Sequence, residues 1–380
     1  MHIELKPIED QVVVLMGASS GIGRGAAKLF ARRGARVVVS ARDETGLQSL
    51  VDEILEDGGI ATYIVADVAD FKQVEQVAYY AYSTYGQLDT WVHLAAVALY
   101  ATFEKTTLEE FRRVLDVNLL GQVHGAKAAL PYLRRQGGGA LIHISSIEGI
   151  RSLPYHAAYG ASKHGVNGFL EVLRLELQHE GIPISVTNIM PASINTPLFN
   201  KARTKLGVMP KGLPPIYSPY IVAETILYAA ENPVAEMYVG DSARMMANMQ
   251  RMSPRLMDAY LLSTGFTGQL TDRPKSEDAP DNLYAPLEGY DRVNGDFRAL
   301  PVSISDELKT NPMVRAGLVG LLAGAAASVL KTRISSRNAG EDAYDEAARM
   351  QWEAHREAQY RPAQYRREQY RLEQYQLERY

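Results

Sequence analysis

Tyr159 and Lys163 stand four residues apart in Tyr159-Gly160-Ala161-Ser162-Lys163, and Ser146 lies thirteen residues upstream of the tyrosine. These three side chains could make up a proton-transfer site. A free phenol has a pKa of about 10 and is a poor base at neutral pH. A cation within reach lowers it by about 1–3 units. Residues four apart share one helix face, so Lys163 could supply that cation. The Ser146 hydroxyl could grip the reacting oxygen. A Tyr-x-x-x-Lys spacing by itself also suits an exposed helix face; its company makes the chemical reading the stronger one.

Part of that company is a glycine turn, Gly17-Ala18-Ser19-Ser20-Gly21-Ile22-Gly23, which follows an apolar run and opens a helical pattern. Glycines there allow a tight turn and let backbone N–H groups approach a pyrophosphate at a helix N-terminus. Gly17, Ser19, Ser20, Gly21, Ile22 and Gly23 are therefore candidate nucleotide contacts. The next strand ends Ser40-Ala41-Arg42, so the carboxylate that would take a ribose 2′-hydroxyl is replaced by a guanidinium that can fork onto a 2′-phosphate. NADP(H) is expected over NAD(H). Asp67 and Val68 follow the third strand and are placed for the adenine edge, although Asp67 would also serve as a helix N-cap.

The elements that must position these groups are legible as apolar runs at Gln11–Met16, Arg36–Ser40, Ala61–Ala66, Thr90–Ala95, Ala140–Ser145, Ile184–Ile189 and Glu236–Gly240, most separated by helical stretches. Strands alternating with helices predict an α/β fold, a Rossmann-like doubly wound parallel sheet of about seven strands with helices on both faces. The apolar runs are continuous rather than alternating, as in a sheet covered on both sides. This domain should span residues 1–250. An irregular, surface-wrapped extension is expected over 251–310, an apolar helix over 311–333, and a low-complexity Tyr/Gln/Arg/Glu tail over 334–380. The tail's tyrosines at 360, 365, 370, 375 and 380 advance about 140° per step on a helix and form no stripe.

Composition narrows the function classes. The chain of 380 residues carries a net charge of −4, which gives no basic field for nucleic acid. It contains no cysteine, which excludes disulfides, thiolate catalysis and cysteine metal sites and fits a reducing, cytoplasmic setting. No metal site is expected. The first residues show no apolar signal region.

With these pieces in order, the sequence resembles the classical branch of the short-chain dehydrogenase/reductase family over about residues 8–245. The resemblance rests on the glycine turn, Asn118 in Val117-Asn118-Leu119, Ser146, and Tyr159 with Lys163. It implies Tyr159 as acid/base and Ser146 as the binder of the substrate oxygen. Lys163 would lower the tyrosine pKa and meet the nicotinamide ribose. Asn118 would hold a water linking Lys163 to solvent, unless the backbone satisfies its amide. Pro191-Ala192-Ser193-Ile194-Asn195-Thr196 matches the segment that meets the carboxamide, with Pro191, Ile194 and Thr196 as contacts, and Ala95 lies beside the cofactor. The family also implies a homodimer or homotetramer through the helices carrying Asn118 and Tyr159. Three departures stand out. His93-Leu94-Ala95-Ala96 replaces Asn-Asn-Ala-Gly, Pro191-Ala192 replaces Pro-Gly, and Met16 replaces a threonine. The two glycine-to-alanine changes should add methyls close to the cofactor. His93 reads as a structural substitute.

The expected activity is hydride transfer between the nicotinamide and a carbonyl or secondary alcohol. A cofactor-binding sensor or scaffold without turnover is the alternative. Leu198, Phe199, Leu206, Val208, Met209, Leu213, Ile216 and Tyr217, with Ile150, Leu153 and Tyr155, either line an apolar substrate pocket or pack on their own domain. Lys201, Arg203, Lys205 and Lys211 either favour an anion or are solvated. Ala316–Leu330 is short for a membrane span. It reads first as a packing helix and second, with the basic residues up to 337, as a peripheral membrane contact.

Overall fold

The computed structural model describes residues 2–303. The expected apolar helix at 311–333, the tail at 334–380 and the membrane contact at 311–337 lie outside the described residues.

Seven parallel strands form the central sheet: β1 (Val12–Met16), β2 (Arg36–Ala41), β3 (Ile60–Val65), β4 (Thr90–His93), β5 (Gly139–Ile144), β6 (Ile184–Pro191) and β7 (Glu236–Val239). Their order is β7-β6-β5-β4-β1-β2-β3. β1 therefore pairs with β2 on one side and β4 on the other, with Met16 opposite Ser40 and His93. The strand order reverses at this point, and the two connections leave a crevice at the carboxyl ends, where ligands bind in open α/β sheets.

The continuous apolar strands are explained by burial on both faces. Val13, Leu15, Val37 and Val39 face one cluster, packed by helices α1 (Gly21–Arg32) and α2 (Glu44–Glu56). Val14, Met16 and Val38 face another, packed by α3 (Phe71–Tyr85), α4 (Leu108–Leu115), α5 (Gly121–Gln136) and α6 (Ala157–His179). Between α4 and α5 the chain makes one π-helical stretch, Asp116–Leu120, which carries Asn118 into the interior. Single π turns of this kind recur at functional sites. On the first face α7 (Pro219–Glu231) completes the cover.

The segment expected to be irregular from 251 onward is more ordered than that. α8 (Asp241–Met252) runs through the expected boundary, and α9 (Pro254–Thr264) follows it directly. The Ser253 hydroxyl accepts a hydrogen bond from the Leu256 amide, and Pro254 occupies the first turn, so α9 has an ordinary start. Met257 and Leu261, four residues apart, bury against Ile147, Leu213 and Met246. Leu270–Pro274 then pairs antiparallel with Val208–Pro210. The irregular character holds from 275 to 303, where the chain returns across the carboxyl end of the sheet.

Candidate functional site

The crevice is an open cleft at the carboxyl ends of the strands. Gly17, Ser19, Ser20, Gly21, Ile22 and Gly23 line one wall, and Arg42, Asp67, Val68, Ala95 and Thr196 line it too. Gly17 and Gly21 take positive φ angles of 91° and 62°, which favour glycine. Helix α1 starts at Gly21, so its N-terminal amides and dipole face the cleft. The donor set suits an anionic dinucleotide.

Arg42 is not a solvated surface arginine. Its Nη1 donates to the Tyr284 carbonyl at 2.9 Å and its Nη2 to the Asn282 carbonyl at 2.5 Å. Burial pulls its pKa down, Asp67 opposes that, and Arg113 adds to it. Asp43 caps α2 by accepting from the Gly46 amide, so it does not replace the missing carboxylate at the end of β2. Asp67 accepts from the Ala69 amide and from Arg113 at 2.8 Å. Despite the cost of burial, those hydrogen bonds hold its carboxyl below the usual range.

Sequence reasoning missed the third wall. Asn282, Pro286 and Leu287 border the cleft. Arg113 donates to the Leu283 carbonyl, and the Leu283 side chain is fully buried. Farther along, the Arg292 carbonyl accepts from the Gly21 amide at 2.9 Å, and Asn195 binds the backbone of Gly295 and Phe297. Residues 281–300 thus form a strap along the cleft mouth. No sequence spacing announces contacts some 240 residues apart. Lys201 and Leu198 of the lid also line the cleft.

The catalytic candidates gather on the neighbouring flank. Ser146 follows β5, and its hydroxyl accepts from the Glu148 amide at 3.1 Å. Tyr159 lies in the first turn of α6, and its phenol is near enough to the Ser146 hydroxyl to feel it. Lys163 is one turn on, its Nζ 5.4 Å from the Tyr159 ring centroid. That ammonium donates to the Ile144 carbonyl at 2.8 Å. Burial pushes its pKa down to about 8, against a pull upward from Glu148.

Two expectations change here. Burial, and then the Glu148 carboxylate, push the Tyr159 phenol above its ordinary value, and the Ser146 hydroxyl is the opposing influence. Lys163, expected to lower it, is turned to Ile144. Asn118 is satisfied by backbone: its Oδ1 accepts from the Val97 amide at 2.8 Å and its Nδ2 donates to the Val97 carbonyl at 2.9 Å. Asn118, Tyr159, Lys163, Pro191 and Ile194 do not line the cleft itself, whereas Val117 and Ile144 do. Ile194 instead pairs with Tyr217 in a short parallel ladder.

The departures at 93–96 and 192 have local explanations. A side chain on Gly17 would strike Ala95, so those two backbones are in close contact. Ala96 does line the cleft, as expected. Ala192 does not, and its methyl faces Gly240, which has room because it lacks a Cβ. His93 is fully buried and stacks on His143 of the adjacent strand, ring centroids 6.0 Å apart.

The lid residues pack on their own domain. Phe199, with Leu198 and Leu206, meets Tyr100, Ala98 and Phe297, whereas Leu213 joins Ile147 and α8. Arg203 pairs with Glu110 and Asp281, and Lys205 with Glu110. Tyr155, at φ 68°, is a non-glycine residue in the left-handed region, its ring edge-on to Phe266. Among the described residues no helix is long and apolar enough to cross a membrane, and no cluster of metal-binding side chains occurs.

A short chain dehydrogenase family model matches residues 11–207. The chain belongs to that family. An uncharacterized oxidoreductase of Bacillus subtilis, YxnA, is 37% identical over 329 residues, covering 86% of this chain and 92% of that protein. The 3beta-hydroxysteroid dehydrogenase 1 of Eggerthella lenta is 35% identical over 193 residues, covering 50% of this chain and 73% of that protein. Among solved structures, the alcohol dehydrogenase of the archaeon Thermococcus sibiricus complexed with 5-hydroxy-NADP aligns with a TM-score of 0.53. It is 24% identical and covers 60% of this chain and 95% of that one, a likeness of fold. The chain is a short chain dehydrogenase-family oxidoreductase.

Proposed function

We propose that this short chain dehydrogenase is NADP-dependent and transfers hydride between the nicotinamide and a carbonyl or secondary alcohol of an apolar substrate. The observation that carries the reading is the Ser146–Tyr159–Lys163 group beside a glycine-lined cleft headed by Arg42. The cofactor, when bound, supplies or accepts the hydride at the reacting carbon. The chain's residues handle the oxygen. Ser146 donates a hydrogen bond to it, and the Tyr159 phenol delivers a proton to it in reduction or takes one in oxidation. Burial and Glu148 hold that phenol in its protonated form, the form that donates the proton in carbonyl reduction. The Glu148-side cluster of Ile147, Leu213, Met246 and Leu261 gives the neighbourhood its apolar character, and the hydroxysteroid dehydrogenase relative supports an apolar alcohol as substrate class.

Exposed Leu120, Val172 and Leu175 support self-association through the π turn and α6. Light scattering of the purified chain at two concentrations measures it, and a monomer mass at both would dismiss it.

The test of the activity is oxidation of NADPH against a panel of hydrophobic ketones and aldehydes. Wild type should turn over at least one of them. Tyr159→Phe should lose about 100- to 10,000-fold in kcat while binding NADP+ within twofold of wild type. Turnover unchanged in Tyr159→Phe would overturn the mechanism. Tight NADP+ binding with no turnover on any substrate would favour the sensor reading.

A further inference from the structure

We propose that Lys201, carried by the lid, is a ligand for the cofactor 2′-phosphate and shares that anion with Arg42. This rests on the NADP reading and extends it to a residue outside the nucleotide-binding segments.

Lys201 ends the single helical turn Leu198–Lys201, which begins directly after Thr196-Pro197. That short connection brings the lid back across the cleft to the glycine turn. The Lys201 Nζ donates to the Ser20 hydroxyl at 2.7 Å, and both residues line the cleft. The other lid cations are placed differently. Arg203 and Lys205 are neutralised by Glu110 and Asp281, and Lys211 does not border the cleft. Among the described residues Lys201 makes no ion pair, and its one hydrogen-bond acceptor is a neutral hydroxyl.

The electrostatic setting is unfavourable as it stands. Burial pushes the Lys201 ammonium down to about 8, and Arg42 pushes the same way, against Asp43 and Asp291. Asp43 has one oxygen occupied by the cap of α2. Two cations thus share one partly desolvated wall. A dianion there would compensate the burial of both cations and accept hydrogen bonds from both. The strap already orients one of them: the Asn282 and Tyr284 carbonyls hold two of the Arg42 N–H groups, leaving the rest of its five donors for a ligand. The pyrophosphate belongs at the N-terminus of α1. The partner of Lys201 is the other phosphate, because the strap ties Lys201 to Arg42: the Asn282 amide donates to the Lys201 carbonyl at 3.0 Å, and the Asn282 carbonyl accepts from Arg42, which follows the second strand.

The experiment measures equilibrium dissociation constants of NADP+, NAD+, 2′,5′-ADP and 5′-AMP for the full chain by calorimetry. The proteins are wild type, Lys201→Met, Lys201→Gln, Lys201→Arg, Arg42→Met and, as a control, Lys211→Met. Lys201→Gln can keep the hydrogen bond to Ser20, so it covers a failure of Lys201→Met to fold. Lys201→Met and Lys201→Gln should weaken NADP+ and 2′,5′-ADP by about tenfold or more, as for loss of a charged hydrogen bond, and NAD+ and 5′-AMP by less than twofold. Lys201→Arg should retain most of the preference, and Lys211→Met should bind as wild type. Equal losses for both cofactors, or none, would overturn the proposal while the Arg42→Met loss upheld NADP preference. A wild type without preference for NADP+, and unaffected by Arg42→Met, would overturn the cofactor reading and the proposal together.

Discussion

Glu148 and His156 form a buried pair beside Tyr159, with Glu148 Oε1 2.7 Å from His156 Nδ1. The second carboxylate oxygen of Glu148 accepts from the Leu153 amide, which closes the loop between β5 and α6. The His156 ring packs edge-on to Tyr159 and to Tyr100, with centroids 5.7 Å and 4.1 Å away. Next to burial, Glu148 is the strongest influence holding the Tyr159 phenol up. The loop therefore bears on the proton affinity of Tyr159 as well as on its place.

Glu148→Gln should keep the loop, because an amide oxygen can still accept from Leu153, and should remove the negative charge. The phenol pKa should then fall by about one unit. Below that pKa the oxidation rate follows the small phenolate fraction, so kcat for alcohol oxidation at pH 8–9 should rise by up to about tenfold in the variant. An unchanged oxidation rate across that range would remove Glu148 from the proton chemistry.

The seven strands were legible within a few residues because each is a continuous apolar run flanked by turn or helix signals. The glycine turn and the Tyr159–Lys163 spacing were legible because local geometry dictates them. Residues 281–300 were not, since their role depends on backbone carbonyls meeting Arg42, Arg113 and Gly21, and a carbonyl has no sequence signature. Lys201 looked like any lid cation until the fold set it beside Ser20. α9 was overlooked although Ser253-Pro254 marks its start, because Met257 and Leu261 alone among its residues are buried. The direction of Lys163 was hidden too: spacing puts it on the face of Tyr159 but does not show that the Ile144 carbonyl takes its ammonium.

Leu283 pins the strap. Its side chain is fully buried in the apolar cluster on the α3–α6 face of the sheet, and Arg113 holds its carbonyl. Leu283→Ala removes a packed side chain whose loss costs about 2–5 kcal/mol in a core. Because 275–303 has little regular structure, the cost should fall on local opening rather than on global unfolding. NADP+ should leave roughly tenfold faster in stopped-flow displacement, and brief proteolysis should cut between 276 and 300. Wild-type rates of release would show that the strap does not retain the cofactor.

Gly23 has no room for a methyl. A Cβ there would overlap the Gly17 carbonyl oxygen and lie 2.9 Å from the Ala18 Cα, both backbone atoms that cannot swing aside. Gly23→Ala should force the turn open, weaken NADP+ and NAD+ alike by at least about tenfold, and lower the thermal midpoint. Cofactor affinity within twofold of wild type would contradict the close packing of turn and helix.

His143 and His93 lie side by side on the central strands, fully buried, with His143 Nδ1 2.7 Å from Gln122 Oε1. Burial, reinforced by the Lys163 charge, lowers the His143 pKa from 6.5 to about 3, and burial and His143 lower His93 well below its ordinary value. The unfolded chain takes up a proton at 143 as pH falls through 6.5, whereas the folded chain does so near 3. Stability from this group is therefore complete above 6.5 and declines toward 3, by up to about 1.4 kcal/mol per pH unit. Urea unfolding at pH 7, 6, 5 and 4 should show midpoints falling with pH. His143→Gln should flatten that fall, since glutamine has the size to reach Gln122 and no proton to gain. A variant with the wild-type slope would mean that the acid sensitivity lies elsewhere in the fold.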